Sequence, residues 1–268
     1  MMATRLTFVD GSAQASFDAI GLVRYEDFIG FEAGAIVGES GTTQTRRFAI
    51  ASASAGNVLY LKKYRYRGVR RRHRFRVDKA ALEARNYSTL RRRCGVAAPE
   101  VVVHGSRRHG WRLLDAIIVT REVAQAVSME DLFERRWPRA DRAVGDPARA
   151  ALLDEAARVV GRMHRTGFYH IDLQWRNLLV SRVDSAGVSI CVCDSPRGGL
   201  RRWRPHRMHG ALRDLSSLHK EARRRMTRTE QMRWLNDYLR ASGLRADRRV
   251  LVWTIILDRV IKDHGVWH

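Results

Sequence analysis

Acidic side chains are scarce in this chain. Twenty-eight Asp and Glu stand against 50 Lys and Arg, a formal balance of +22. Such a balance disfavours a basic partner and points to a polyanionic one: nucleic acid, an anionic membrane face or a phosphorylated ligand. Cysteine is nearly absent. Cys94, Cys191 and Cys193 are too few and too irregularly spaced for a disulfide framework. Cys191 and Cys193 alternate along one predicted strand and read as small apolar packing residues rather than metal ligands. No basic-plus-apolar leader opens the sequence. The longest apolar run near its end, Val250–Leu257, is far short of the roughly 20 residues that a membrane helix needs. Internal repeats and long low-complexity tracts are also missing. A disulfide-stapled module and a membrane-spanning protein are therefore set aside, and a cytoplasmic enzyme is expected. The 268 residues, 45% hydrophobic, suffice for one large or two-lobed domain with a substantial core.

What is present centres on Tyr169–Val180, YHIDLQWRNLLV, followed by the strand Ile190–Asp194, ICVCD. A loop carries a carboxylate and an amide, and the second of two short apolar strands ends on another carboxylate. Phosphoryl transfer asks for a group that orients the attacking hydroxyl and for oxygen ligands that hold Mg²⁺. Asp172, Asn177 and Asp194 are those types in that order. The H-R-D-L-x-x-x-N pattern is kept in His170, Asp172, Leu173 and Asn177, with Ile171 in place of the arginine. Asp194-Ser195-Pro196 stands where D-F-G would.

The flanking chain supplies the rest of that pattern. Short helices are expected over residues 1–34, interrupted by Gly21 and Gly30. β-prone segments follow from Ala35: AIVG, RRFAIAS and, after the turn Ser54–Asn57, NVLYLKKY. Alternation along Val58–Lys62 puts Lys62 at a strand end, and Lys63 competes with it from the opposite face. Asp78 suits the cap of a helix reaching about Arg93, with Glu83 on the face of Ala80, Ala84, Tyr87 and Leu90. A carboxylate there wants a cation. Arg65–Arg76, with seven arginines, a histidine and no acid, reads either as a solvated loop or as an anion-binding edge. Strands are expected over Glu100–His104 and Leu114–Val119, with Ala116–Glu122 read as a buried strand running out into a connector where two lobes part. Further helices are expected over Ser128–Trp137, from Asp146-Pro147 to about Arg165, over Ala211–Arg224 opened by Asp214, from the capping box Thr227-x-x-Glu230, and over Val250–Ile261. Asp214 reads either as a tie to the Tyr169–Val180 loop or as a plain helix-start charge.

Strand lysine, helix glutamate, H-x-D-x₄-N and a strand-borne aspartate recur in this order over about 130 residues. Within that frame, Leu59–Gly68, Ala81–Val101 and Gly167–Val180 resemble the lipopolysaccharide kinase (Kdo/WaaP) family, a branch of the protein-kinase-like fold. The likeness covers roughly residues 20–240. It implies an α+β, two-lobed fold. Residues 1–122 would form a small nucleotide-binding lobe with an antiparallel sheet and one main helix, and 123–268 a larger, mostly helical catalytic lobe. It implies ATP- and Mg²⁺-dependent phosphorylation of a sugar hydroxyl, heptose or Kdo, in the lipopolysaccharide inner core, at the cytoplasmic face of the inner membrane. Asp172 would orient or deprotonate the acceptor hydroxyl, Asn177 and Asp194 would ligate Mg²⁺, Lys62 would bind the ATP phosphates, and Glu83 would hold Lys62. An acidic glycolipid acceptor suits the positive charge.

Three departures stand out. No G-x-G-x-x-G precedes the lysine, Gly34, Gly38 and Gly41 being only loosely spaced. Ile171 removes the arginine that answers an activation-loop phosphate, and Ser195-Pro196 removes the aromatic switch. The shared motifs leave a small-molecule or protein kinase open, because acceptor choice lies in the surrounding loops. A silent kinase-like protein is the alternative from another class, binding nucleic acid or an anionic membrane through interleaved Arg, Tyr64, Tyr66, Phe75 and Trp203.

Overall fold

The computed structural model describes residues 2–50, 58–66, 78–138, 145–184 and 187–243. The turn Ser54–Asn57, the arginine run beyond Tyr66 and the helix expected over Val250–Ile261 lie outside the described residues. The chain divides into two compact units, Met1–Tyr87 with Pro99–Ala124 and Ser88–Ala98 with Gln125–His268. Among the described residues no helix is long and apolar enough to cross a membrane.

The first unit is built on a six-stranded antiparallel sheet. Its elements are β1 (Met2–Phe8), α1 (Gln14–Asp18), α2 (Tyr25–Gly30), β2 (Ala35–Glu39), β3 (Thr43–Ala49), β4 (Val58–Arg65), α3 (Lys79–Thr89), β5 (Val101–His109) and β6 (Arg112–Arg121). The spatial order is β1-β5-β6-β4-β3-β2. The expected helical start is corrected over Met2–Phe8, which forms the edge strand β1. Its register runs from Met2 opposite His109 to Phe8 opposite Val103. Leu6 and Phe8 turn to the core by the two-residue period of a strand, but the partner lies about a hundred positions away and no local signal announces it. The short helices α1 and α2 then follow as expected. They deliver Phe17, Tyr25 and Phe28 onto Leu59, Leu61, Val102, Ile117 and Val119. Phe17 and Phe28 are 5.4 Å apart in a tilted arrangement, within the range favoured by aromatic quadrupoles.

The helix α3 starts where its cap was expected. Asp78 Oδ1 accepts from the N–H groups of Ala80 and Ala81 at 2.9 and 3.2 Å, satisfying two of the orphan donors of the first turn. The helix widens into a π-turn over Leu90–Cys94 and ends at Gly95, whose φ of 61° is left-handed.

In the second unit the elements are β7 (Val127–Ser128), α4 (Met129–Arg136), α5 (Pro147–Arg165), β8 (Phe168–Tyr169), β9 (Leu178–Asp184), β10 (Gly187–Val192), β11 (Gly199–Leu200), α6 (Arg204–Arg225) and α7 (Arg228–Ser242). Asp146 and Pro147 open α5 as expected, and Thr227 and Glu230 form the capping box of α7. The helix α5 lies against α7 where Gly161 has no side chain. A Cβ there would come 2.4 Å from that of Ala241.

Two sequence expectations change here. The helix α6 begins at Arg204, not at Ala211, because Pro205 fits its first turn and Trp203 precedes it in extended conformation. Asp214 therefore sits in the middle of a 22-residue helix rather than at its start. Cys193 lies beyond the end of β10, so only Cys191 packs within the strand. Burial pushes the Cys191 thiol up to about 12, which leaves it protonated and inert.

Arg149 is the unexpected anchor of this unit, 1% exposed within α5. Its guanidinium grips Glu230 at 2.7 and 3.0 Å, donates to the Arg225 carbonyl at 2.5 Å, and lies 4.8 Å from the Phe133 ring centroid. Glu230 in turn accepts from the Thr227 N–H at 2.8 Å, so Arg149 joins the start of α5 to the start of α7. Arg149→Ala should cost about 3–5 kcal/mol of unfolding free energy, because it strands a largely buried carboxylate. Arg149→Lys should recover only part, having lost the two-pronged geometry. Urea denaturation of both variants checks this, and a loss below about 1 kcal/mol for alanine would contradict it.

Candidate active site

Strand alternation sends the two adjacent lysines of β4 to different fates. Lys63 takes the core face with Leu59 and Leu61, is 1% exposed, and donates to the carbonyls of Ile29 at 2.8 Å and Phe31 at 2.5 Å. Burial, with Arg46 nearby, lowers its pKa. Lys63 thus ties down the C-terminal end of α2. Lys62 takes the other face. Its Nζ lies 3.5 Å from Glu83 Oε1 and 5.1 Å from the Tyr64 ring centroid.

Glu83 is only 1% exposed on the packed side of α3. A carboxylate so placed needs charge or hydrogen bonds around it. Besides Lys62, it accepts from the Tyr87 hydroxyl at 2.6 Å, one helical turn on, and from the Tyr64 hydroxyl. The tyrosines were not singled out from the sequence as its partners, although Tyr87 shares its face by the i, i+4 rule. The pairing of Lys62 with Glu83 is the geometry that the sequence reading asked for. Gly38 lies on the exposed strand β2 and Gly41 in the turn to β3. Gly34 is required for another reason: its φ is 83°, and a Cβ would fall 2.3 Å from the Arg47 carbonyl oxygen.

The second unit holds the loop. The helix α5 stops at Gly167, whose φ is 83°, and β8 leads directly into His170. Ile171 then adopts φ 73°, a costly conformation for a β-branched residue. Asp214, 0% exposed in α6, holds that bend. Its carboxylate accepts from the His170 N–H at 2.8 Å and the Ile171 N–H at 2.6 Å. His164 Nε2 is 3.2 Å from the same carboxylate, and His164 Nδ1 is 2.9 Å from the Tyr238 hydroxyl. The chain α7, α5, α6 and loop is thus joined by polar contacts inside the core. Sequence alone left Asp214 open between loop anchor and helix-start charge, and its mid-helix position and partners make it the anchor.

Past the bend, Asp172 is half-buried and its Oδ1 accepts from Gln174 Nε2 at 2.8 Å. The Asn177 amide donates to the Asp172 carbonyl at 2.8 Å, which leaves its oxygen as a hard donor. The His170 ring meets the Cys193 carbonyl at 2.8 Å, and the Cys193 N–H donates to the Asn177 carbonyl at 3.0 Å. These two bonds attach the loop to the residue just before Asp194, itself at φ 54°. The turn after it requires a glycine. A Cβ on Gly198 would fall 2.3 Å from Ser195 Oγ and 2.9 Å from the Tyr169 carbonyl oxygen.

Within this unit the structure therefore brings Asp172, Asn177 and Asp194 onto one bonded framework. Within the other it brings together Lys62 and Glu83. Among the described residues no group of three or more His, Cys, Asp or Glu is placed to hold a metal ion. An amide oxygen and one carboxylate are instead the sparse oxygen set that suits Mg²⁺, which draws its remaining ligands from water and phosphate. His164, Gln174, Tyr64 and Tyr87 were not among the predicted residues. For His164 the signal was its place beside Met163 on the apolar face of α5, and for Tyr87 its i, i+4 spacing from Glu83.

Comparison with known proteins gives three findings. The model of the lipopolysaccharide kinase (Kdo/WaaP) family matches residues 30–238. The lipopolysaccharide core heptose(I) kinase WaaP of Pseudomonas aeruginosa is 30% identical over 166 residues, which span 59% of this chain and 60% of that protein. A solved structure described as WaaP in complex with acyl carrier protein superposes with a TM-score of 0.67 at 24% identity, covering 97% of this chain and 100% of that one. At that identity the superposition establishes the fold.

Proposed function

Since the chain belongs to the lipopolysaccharide kinase (Kdo/WaaP) family, we propose that it is an ATP-dependent kinase acting on a sugar hydroxyl of the lipopolysaccharide inner core, heptose or Kdo. The observation that carries this reading is the loop from His170 to Asn177. Its strained bend is clamped by Asp214, its amide is bonded to the Asp172 carbonyl, and its Asp172 carboxylate is only half-buried. A fold that needed the loop for packing alone would gain nothing from such a constraint.

Asp172 accepts a hydrogen bond from the acceptor hydroxyl and takes its proton as the oxygen bonds to the γ-phosphorus. The bond from phosphorus to the β–γ bridging oxygen breaks, and ADP leaves. Lys62, steadied by Glu83, neutralises the nucleotide phosphates. Asn177 and Asp194 would hold Mg²⁺, which when bound offsets the charge of the phosphate oxygens. Gln174 keeps the Asp172 side chain oriented. The acyl carrier protein of the structural neighbour enters this reading as a candidate partner. We place the protein at the cytoplasmic face of the inner membrane, where such an acceptor is presented.

The test is twofold. Thermal unfolding with ATP, with and without Mg²⁺, should show a Mg²⁺-dependent stabilisation in the parent that is lost in Asp194→Ala and in Lys62→Met, since a ligand stabilises by mass action only where it binds. Purified protein with Mg-ATP should transfer phosphate to a lipopolysaccharide core acceptor. No stabilisation at saturating ATP, or no transfer to heptose- or Kdo-bearing acceptors, would refute the reading.

A further inference from the structure

The segment between Asp194 and Asp214 contains no acidic residue, but it contains Arg197, Arg201, Arg202, Arg204, Arg207 and Arg213 with His206 and His209. The structure sorts these by face. Arg207 turns inward, its guanidinium 3.4 Å from the Tyr169 hydroxyl and from the His164 carbonyl, and Gly210 and Asp214 continue that packed side of α6. Arg202 and Trp203, just before α6, and Arg204 and Met208, in its first turns, are exposed to solvent. Trp203 is 74% exposed, Met208 59% and Leu200 41%. Exposed apolar side chains occur singly on most proteins. Three within nine residues, interleaved with the exposed Arg202 and Arg204, make an exposed stretch that is both apolar and cationic.

We infer that Leu200–Met208 is a docking surface for an anionic lipid bilayer. The chemistry fits one such occupant. Tryptophan favours the headgroup level of a bilayer, where its ring is half apolar and its N–H is wet. Arginine near an anionic leaflet gains from the surface potential, and methionine and leucine can enter the acyl boundary. The patch is also fixed to the loop. Leu200 pairs with Phe168 and Gly199 with Tyr169 across β11 and β8, and the Arg201 N–H donates to the Gly167 carbonyl at 2.8 Å. Those bonds end one residue before His170. A bilayer seated on the patch would thus hold Asp172 in constant register with acceptors in that leaflet. This last step rests on the kinase reading; the docking itself does not.

Co-sedimentation at physiological ionic strength separates the outcomes. The parent should bind vesicles containing about a third phosphatidylglycerol, and pure phosphatidylcholine weakly. The double variant Arg202→Gln/Arg204→Gln should bind on the order of 30-fold more weakly, near five-fold per arginine, and Trp203→Ala several-fold more weakly. Arg5→Gln/Arg24→Gln, exposed cations of the other unit, should bind as the parent does. Equal loss in that control, binding within twofold in the patch variant, or no binding by the parent overturns the inference. It is equally overturned if the patch variant keeps vesicle binding but loses acyl carrier protein. Patch variants should still phosphorylate a soluble, deacylated core oligosaccharide while losing transfer to vesicle-embedded acceptor. Failure of the parent on both acceptors would count against the kinase and leave the vesicle result standing.

Discussion

Asp172→Asn should reduce phosphate transfer by about 10²–10⁴-fold in kcat, the usual range for removing a positioned general base, while leaving Mg-ATP binding and thermal stability close to those of the parent. The substitution is nearly isosteric. An asparagine oxygen at Oδ1 can still accept from Gln174 Nε2 at the 2.8 Å now observed, and the Asp172 backbone carbonyl that receives the Asn177 amide is untouched. What vanishes is the basic oxygen that takes the proton from the attacking hydroxyl. The expected loss corresponds to about 3–5 kcal/mol of barrier. Single-turnover transfer and ATP titration on the same preparation decide the matter. A variant that turns over within a few-fold of the parent would remove Asp172 from the chemistry.

The second large effect concerns a residue that need touch no substrate. Asp214→Ala should destabilise the protein by about 3–5 kcal/mol and abolish transfer with it, by the cost of unpaired buried donors. Two backbone N–H groups, those of His170 and Ile171, lose their acceptor at once, and His164 Nε2 loses its partner. Ile171 also loses what holds its left-handed backbone. Asp214→Asn should rescue little, since an amide offers one acceptor oxygen where the loop presents two donors. Urea denaturation of both variants, with activity measured where the protein is still folded, checks this. A stable Asp214→Asn with normal turnover would show that the carboxylate is not the anchor.

Much of the arrangement was legible beforehand because it is carried by local rules. The caps at Asp78, Asp146 and Thr227 need only a polar side chain within three residues of a helix start. The separation of Lys62 from Lys63 needs only the two-residue period of a strand. The loop motif needs only its spacing. Where the reading failed, the missing information was distant in sequence. β1 is a strand because residues 103–109 accept it as a partner. The helix α6 can start at Arg204 because Pro205 suits a first turn, but the contact of Arg207 and Gly210 with Tyr169 joins it to a distant segment that no periodicity around either residue announces.

Fold class, family and the residue types of the candidate site were therefore readable along the chain, since hydrophobic period, caps and motif spacing are properties of sequence neighbours. Only the tertiary structure decided how Glu83 is shared among Lys62, Tyr64 and Tyr87, how His164 and Tyr238 reach Asp214, and which side of α6 is left to solvent. Each of these joins residues from separate elements to satisfy a buried charge or to leave a surface uncovered. Buried charge is costly in proportion to what surrounds it in space, and that surrounding does not exist until the chain has folded.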